Sequence, residues 1–238
     1  MQNYSVITKV NKNLDKQVCR NFIGAKIDDF DFGKERIIDL HSELRKVRIE
    51  KNKKRKNKFI NDYLDNYYKN RRREIFKAKK FIFGSWQETE QNYFREVIKL
   101  FNNKVYLKNK KFIAFLSIFS CSPLVEPQGW QIYYKIKDKK EIRRIFAHEI
   151  LHFFYYDYIK NNRQVKPYYD KLNQNELWIR AELFNVAALN QDNFRKIIGK
   201  KEKGYDIHKK YFGLFKRSWR ESKSLDDYLT KVACLKLE

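Results

Sequence analysis

Glycine and proline are scarce in this chain of 238 residues, at 7 and 3. So few turn formers exclude a collagen-like chain and argue against a turn-rich β-sandwich, leaving long helices as the main expectation. The three cysteines, Cys19, Cys121 and Cys234, lie far apart, are odd in number and contain no CxxC pair. That excludes a disulfide framework and a thiolate zinc site, and points to a reducing compartment. Long hydrophobic runs are also missing: the longest, Phe112 to Phe119, is far too short to span a bilayer, and Met1 to Asp15 lacks the apolar core of a signal peptide. The expectation is a soluble, cytoplasmic protein with no membrane partner.

Core material, by contrast, is plentiful, with hydrophobic residues at 42% and aromatics at 16%. Positive charge is in large excess: 53 Lys and Arg against 29 Asp and Glu, a formal net charge of +24. Such a balance attracts polyanions at low salt, although Lys, Asn, Ile, Tyr and Phe crowd the whole chain and composition alone also accounts for it. The excess is concentrated between Glu43 and Lys80, where 16 bases face 5 acids. Its densest run, Lys51, Lys53, Lys54, Arg55, Lys56 and Lys58, is either a solvated helix face or a surface for the phosphates of nucleic acid.

Periodicity organises the chain into a basic helical N-terminal region, 1–84, and a second region, 85–238. Between Gly33 and Gly84, apolar residues recur at helical spacing and predict two long helices or a helical hairpin. Ser85 with Glu88 reads as a capping box that opens a helix over Trp86 to Asn102. Phe112 to Cys121 and Trp130 to Ile136 read as two strands of a small sheet. Asp138 and Glu141 then start another helix, and further helices follow to the end. The expected class is α+β, mainly helical, with the small sheet before the helix that begins at Asp138.

That helix contains His148, Glu149, Ile150, Leu151 and His152, an HExxH sequence. Imidazoles four residues apart share a helix face and can aim ring nitrogens at one tetrahedral ion. Glu149 sits beside them, where a carboxylate can take a proton from water without being a ligand. The competing reading is a pair of core histidines satisfied by backbone carbonyls.

On these residues the chain resembles the zincin metallopeptidases, over about Phe112 to Asn190, with some similarity to ImmA/IrrE-type peptidases along Ala181 to Leu189. Tyr158 occupies the position where metzincins carry a third His, which excludes that subclass. The resemblance therefore implies a gluzincin-like Zn2+ site completed by a later Glu, with Glu176 and Glu182 as candidates. Glu176 has Arg180 one turn away and reads as half of an exposed ion pair; Glu182 has no cation one turn away and is preferred as the third ligand. Asn185 is a candidate partner for the Glu182 carboxylate, and Asp157 reads as solvated. The resemblance further implies His208 or Tyr205 as the group that steadies an oxyanion, and Trp130 to Ile136 as an edge strand on which a peptide substrate lies. The expected activity is hydrolysis of a peptide or protein, with Glu149 as base. The alternative is a nucleic-acid-binding protein whose metal site is structural or vestigial.

Overall fold

The structure is a computed structural model that describes residues 4–27 and 30–237. Residues 1–3, 28–29 and 238, which the expected regions 1–84 and 85–238 include, fall outside the described residues. In chain order the elements are β1 (Ser5–Val10), α1 (Lys12–Phe22), β2 (Lys26–Ile27), β3 (Phe30–Asp31), α2 (Arg45–Ile49), α3 (Lys53–Asn70), α4 (Arg72–Gln87) and α5 (Glu90–Leu100). There follow β4 (Lys111–Ser117), β5 (Leu124–Val125), β6 (Gly129–Tyr133), α6 (Lys139–Asn161), α7 (Lys166–Tyr169), α8 (Gln174–Leu189), α9 (Asp192–Ile198), α10 (Lys209–Glu221) and α11 (Leu225–Ala233). The fold is mixed α+β, mostly helical, with one four-stranded sheet. No helix among the described residues is long and apolar enough to cross a membrane.

The chain forms two compact units, one of Val6–Ser85 with Lys111–Lys137, the other of Met1–Ser5, Trp86–Lys110 and Asp138–Glu238. The division at Ser85 adjoins the expected 84/85 boundary, but β4 to β6 group with the N-terminal residues and not with the helices that follow them.

In the first unit the strand order is β1-β4-β6-β5, with β4 and β6 parallel in the register Ile113↔Gly129 through Ser117↔Tyr133. Side chains alternate, so Phe112, Ala114 and Leu116 of β4 are buried together. β6 is not the edge expected for Trp130 to Ile136: β5 pairs antiparallel on its other side at Gly129 and Trp130. Asp15 on α1 ties this unit together. Its fully buried carboxylate accepts from Ser117 Oγ (2.7 Å), Ile118 N (3.0 Å), Gln131 Nε2 (2.6 Å) and Tyr68 Oη (2.7 Å). His41, for which the sequence shows no partner, is also fully engaged. Its Nε2 donates to Ile118 O (2.9 Å) and its Nδ1 accepts from the Tyr63 hydroxyl (2.7 Å). The basic run opens α3, where Asn52 caps the amides of Lys54 and Arg55 at 3.0 and 3.1 Å. The expected hairpin is more broken than periodicity suggests, because a π-helical turn at Lys34–Ile38 and a 3₁₀ turn at Ser42–Leu44 precede α2.

In the second unit α6 is the central element. Asp138 caps it through Lys140 N (2.9 Å), and every residue from Phe146 through His152 is buried, as befits a helix enclosed on all sides. Tyr93 of α5 donates to Ala147 O (2.6 Å), and Phe184 of α8 packs on Tyr155 with ring centroids 4.9 Å apart. The expected capping box at Ser85 and Glu88 does not form. α4 continues through Ser85, whose hydroxyl bonds back to Phe81 O (2.7 Å), and Glu88 pairs instead with Lys139 (2.6 Å) and Arg143.

Candidate metal centre

Helical spacing stacks His148 and His152 on one face of α6, and their Nε2 atoms lie 3.1 Å apart. α8 brings Glu182 against them. Its carboxylate is 3.2 Å from His148 Nε2 through Oε2 and 3.4 Å from His152 Nε2 through Oε1. Ligand atoms about 2.0–2.1 Å from a tetrahedral ion lie roughly 3.3–3.4 Å from one another, and the spacing between the imidazoles and those from each imidazole to its nearer Glu182 oxygen are close to that size. Glu182 Oε2 approaches His148 without the alignment of a hydrogen bond and has no hydrogen-bond partner among the described residues. Lone pairs that converge on a shared centre behave in this way. These three side chains, all buried, form the group among the described residues that could hold a metal ion.

Local interactions fix each ligand. Asn173 and Glu176 form a capping box at the start of α8, with Glu176 N to Asn173 Oδ1 at 2.9 Å and Asn173 N to Glu176 Oε2 at 3.0 Å. The Glu176 carboxylate is thus committed to the helix end, as a cap and not as the exposed partner expected for Arg180. Arg180 is buried, and its guanidinium donates to the carbonyls of Val232 (3.0 Å), Ala233 (3.3 Å) and Leu235 (2.6 Å). Asn185 does not hold Glu182. It donates to His148 O (2.9 Å), locking α8 against the backbone of α6, and its Nδ2 is 3.3 Å from His152 Nε2. The Glu182 carboxylate is steadied by Trp178 Nε1 (3.0 Å), a polar contact from a residue that reads as apolar in sequence.

Electrostatics distinguishes the members. Burial alone would raise the Glu182 carboxyl, but His152 and His148 outweigh it and hold it well below the usual carboxylate range. His148 is opposed by burial yet pushed well above the ordinary imidazole value by Glu182 and Glu202, whereas burial wins at His152 and lowers it. Glu149 is buried, makes no hydrogen bond or ion pair among the described residues, and is raised to about 8, chiefly by desolvation.

Comparison of the chain with protein-family models, with curated proteins and with solved structures found no match.

His208 is buried at the end of a 3₁₀ turn, Asp206–His208, with its ring edge-on to Trp178 at 4.9 Å and Tyr205 at 5.8 Å. Neither of its ring nitrogens has a hydrogen-bond partner among the described residues. Tyr158 points elsewhere and donates to Asp226 Oδ1 (2.6 Å). Asp157 is half-buried, accepts from Asn161 Nδ2 (3.1 Å), and has its carboxyl raised by burial.

Glu202 is the residue that sequence reasoning missed. It lies 3.4 Å from His148 Nδ1, on the opposite side of that ring from Glu182. The one available signal is slight: Glu202 is the only acid between Asp192 and Asp206, in a segment otherwise rich in lysine.

Proposed function

We propose that the chain is a zinc-dependent metallopeptidase of zincin type, in which His148, His152 and Glu182 hold the ion and Glu149 is the general base. The observation that carries the reading is the convergence of three buried ligand side chains, with nitrogen and oxygen atoms 3.1, 3.2 and 3.4 Å apart, beside a buried carboxylate on the same helix that is unpaired among the described residues. Two imidazoles and one carboxylate are a donor set suited to zinc, and three ligands are one fewer than a closed structural site uses. Zinc bound there supplies Lewis acidity, lowering the pKa of water toward about 7 and polarising a peptide carbonyl.

The chain's own residues supply the rest. Glu149, buried next to His148 on α6, is the carboxylate placed to take a proton from water at its Oε atoms and to return it to the leaving amine. His208, buried with both ring nitrogens unpartnered, offers a donor to the substrate carbonyl oxygen, with Tyr205 beside it. Trp178 and Asn185 keep Glu182 and α6 in place while substrate binds. Glu149→Gln is expected to lower peptide hydrolysis by about 10²- to 10⁴-fold while about one zinc per chain stays bound. Full activity in that variant contradicts the mechanism.

A second reading rests on α3. Lys53, Lys54, Arg55 and Lys58 are exposed, make no ion pair among the described residues, and crowd a helix N-terminus where positive charge is unfavourable. Cations retained at that cost suit an anionic partner such as nucleic acid. Such binding would weaken steeply with salt and be lost on charge reversal of Lys53, Lys54 and Arg55; a flat salt response argues against it.

A further inference from the structure

Glu202 lies between α9 and α10 in a stretch without regular secondary structure, yet it is among the most firmly held residues of its unit. Its carboxylate accepts from Arg144 Nη1 at both oxygens (3.0 and 2.9 Å) and from the amides of Lys203 (3.0 Å) and Gly204 (3.1 Å). Arg144 is in turn fixed by Glu141 at 3.1 and 2.8 Å. The backbone of Glu202 is clamped by one side chain, since Asn190 Nδ2 donates to Glu202 O (2.9 Å) and Asn190 Oδ1 accepts from Glu202 N (3.1 Å). Gly204 turns the chain at φ +66°, where an added Cβ would come within 2.6 Å of Val186 Cγ2, so the segment has little room to shift.

All this rigidity holds one oxygen 3.4 Å from His148 Nδ1, a buried nitrogen with no well-aligned hydrogen bond among the described residues, while His148 Nε2 faces Glu182 and His152. A histidine that gives one nitrogen's lone pair to a metal carries its proton on the other, and a carboxylate there fixes both tautomer and ring orientation. We infer that Glu202 is a positioning residue for the metal centre, holding His148 so that Nε2 is the ligand atom, and that the Asn190 clamp and the Arg144 pair exist to hold Glu202.

This inference rests on the metal-binding reading, and the test separates the two. Zn2+ alone is titrated against a competing chromophoric chelator for the wild type, Glu202→Gln and Glu202→Ala, with thermal unfolding of each metal-free protein measured in parallel. The expected result is affinity weakened by about 10- to 100-fold in both variants, with the isosteric Glu202→Gln folded and deciding the matter if Glu202→Ala is not. Wild-type affinity in a folded Glu202→Gln, with only metal-free stability lowered, overturns the positioning role and reduces Glu202 to a loop anchor. A folded wild type that binds no Zn2+ overturns the metal-binding reading itself, and this inference with it.

Discussion

The two units each bury a polar centre, and the centres are built on opposite principles. Around Asp15 four donors meet one carboxylate at 2.6–3.0 Å, and His41 in the same unit has both ring nitrogens hydrogen-bonded. Around Glu182 the carboxylate and two imidazoles face one another at 3.1–3.4 Å, and among the described residues Glu149 has no hydrogen bond or ion pair and the two buried ring nitrogens of His208 have no partner. Buried polar atoms are normally paired, so the Asp15 carboxylate and the His41 ring, both fully bonded, need nothing more to account for them, although Gln131 Oε1 beside Asp15 lacks a partner among the described residues; the atoms left over around Glu182 leave room for an absent group. Asp15 and His41 are architecture; the His148 cluster could hold a metal ion.

Substitution should therefore cost stability in the first unit and binding in the second. The largest effect on stability is expected for Asp15→Ala, which strands buried donors on β4, β6 and α3 and should destabilise by roughly 3–5 kcal/mol in urea unfolding. Glu182→Gln should leave stability of the metal-free protein nearly unchanged while removing metal. If Asp15→Ala is mild and Glu182→Gln unfolds the chain, the contrast between the centres is wrong.

Asp15 also makes the contrast visible in pH. Burial raises its carboxyl to about 6 from an ordinary 3.8, against the pull of its hydrogen bonds from Ile118, Ser117, Tyr68 and Gln131. A folded-state pKa above the unfolded value means that the native state binds the proton more tightly. This contribution to stability is thus complete below about pH 3.8 and is lost as pH rises through about 6. Between pH 4.5 and 7.5 the wild type should lose about 2 kcal/mol more than Asp15→Asn does, read from the difference in their urea midpoints and slopes. Parallel pH profiles for the two proteins would show that Asp15 does not titrate in this range.

Smaller still is the histidine pair. His41→Leu should cost about 1–2 kcal/mol by stranding Ile118 O and the Tyr63 hydroxyl. His208→Leu, which strands nothing, should be neutral or slightly stabilising while hydrolysis falls. Equal destabilisation by both would mean that His208 is a core residue like His41.

The sequence made one helix face of the candidate site legible, because HExxH needs only the pitch of α6 to bring its members together. Glu182 was legible for a related reason, since the absence of a cation one turn away marks a carboxylate that wants a partner from elsewhere. Glu202 was not, because its place depends on Asn190, Arg144 and Gly204, which meet only in the folded chain. Arg180 misled for the same reason: its carbonyl partners lie at the end of α11, more than fifty residues on. Ser85 and Glu88 have the residue types of a helix start, but tertiary packing carried α4 through Ser85 to Gln87, with Trp86 fully buried and donating to Glu90 (2.9 Å). The grouping of β4 to β6 with the N-terminal residues likewise reflects pairing with β1 and the Asp15 contacts, which no local pattern announces.

The most direct test of the central claim is zinc per chain, measured by elemental analysis after dialysis for the wild type, His152→Ala, Glu182→Gln and Glu176→Gln. The predicted result is about one zinc in the wild type, lost with His152 or Glu182 and retained in Glu176→Gln, whose carboxylate only caps α8. No zinc in a folded wild type, even after it is added back, would contradict the account and return His148 and His152 to the status of core histidines.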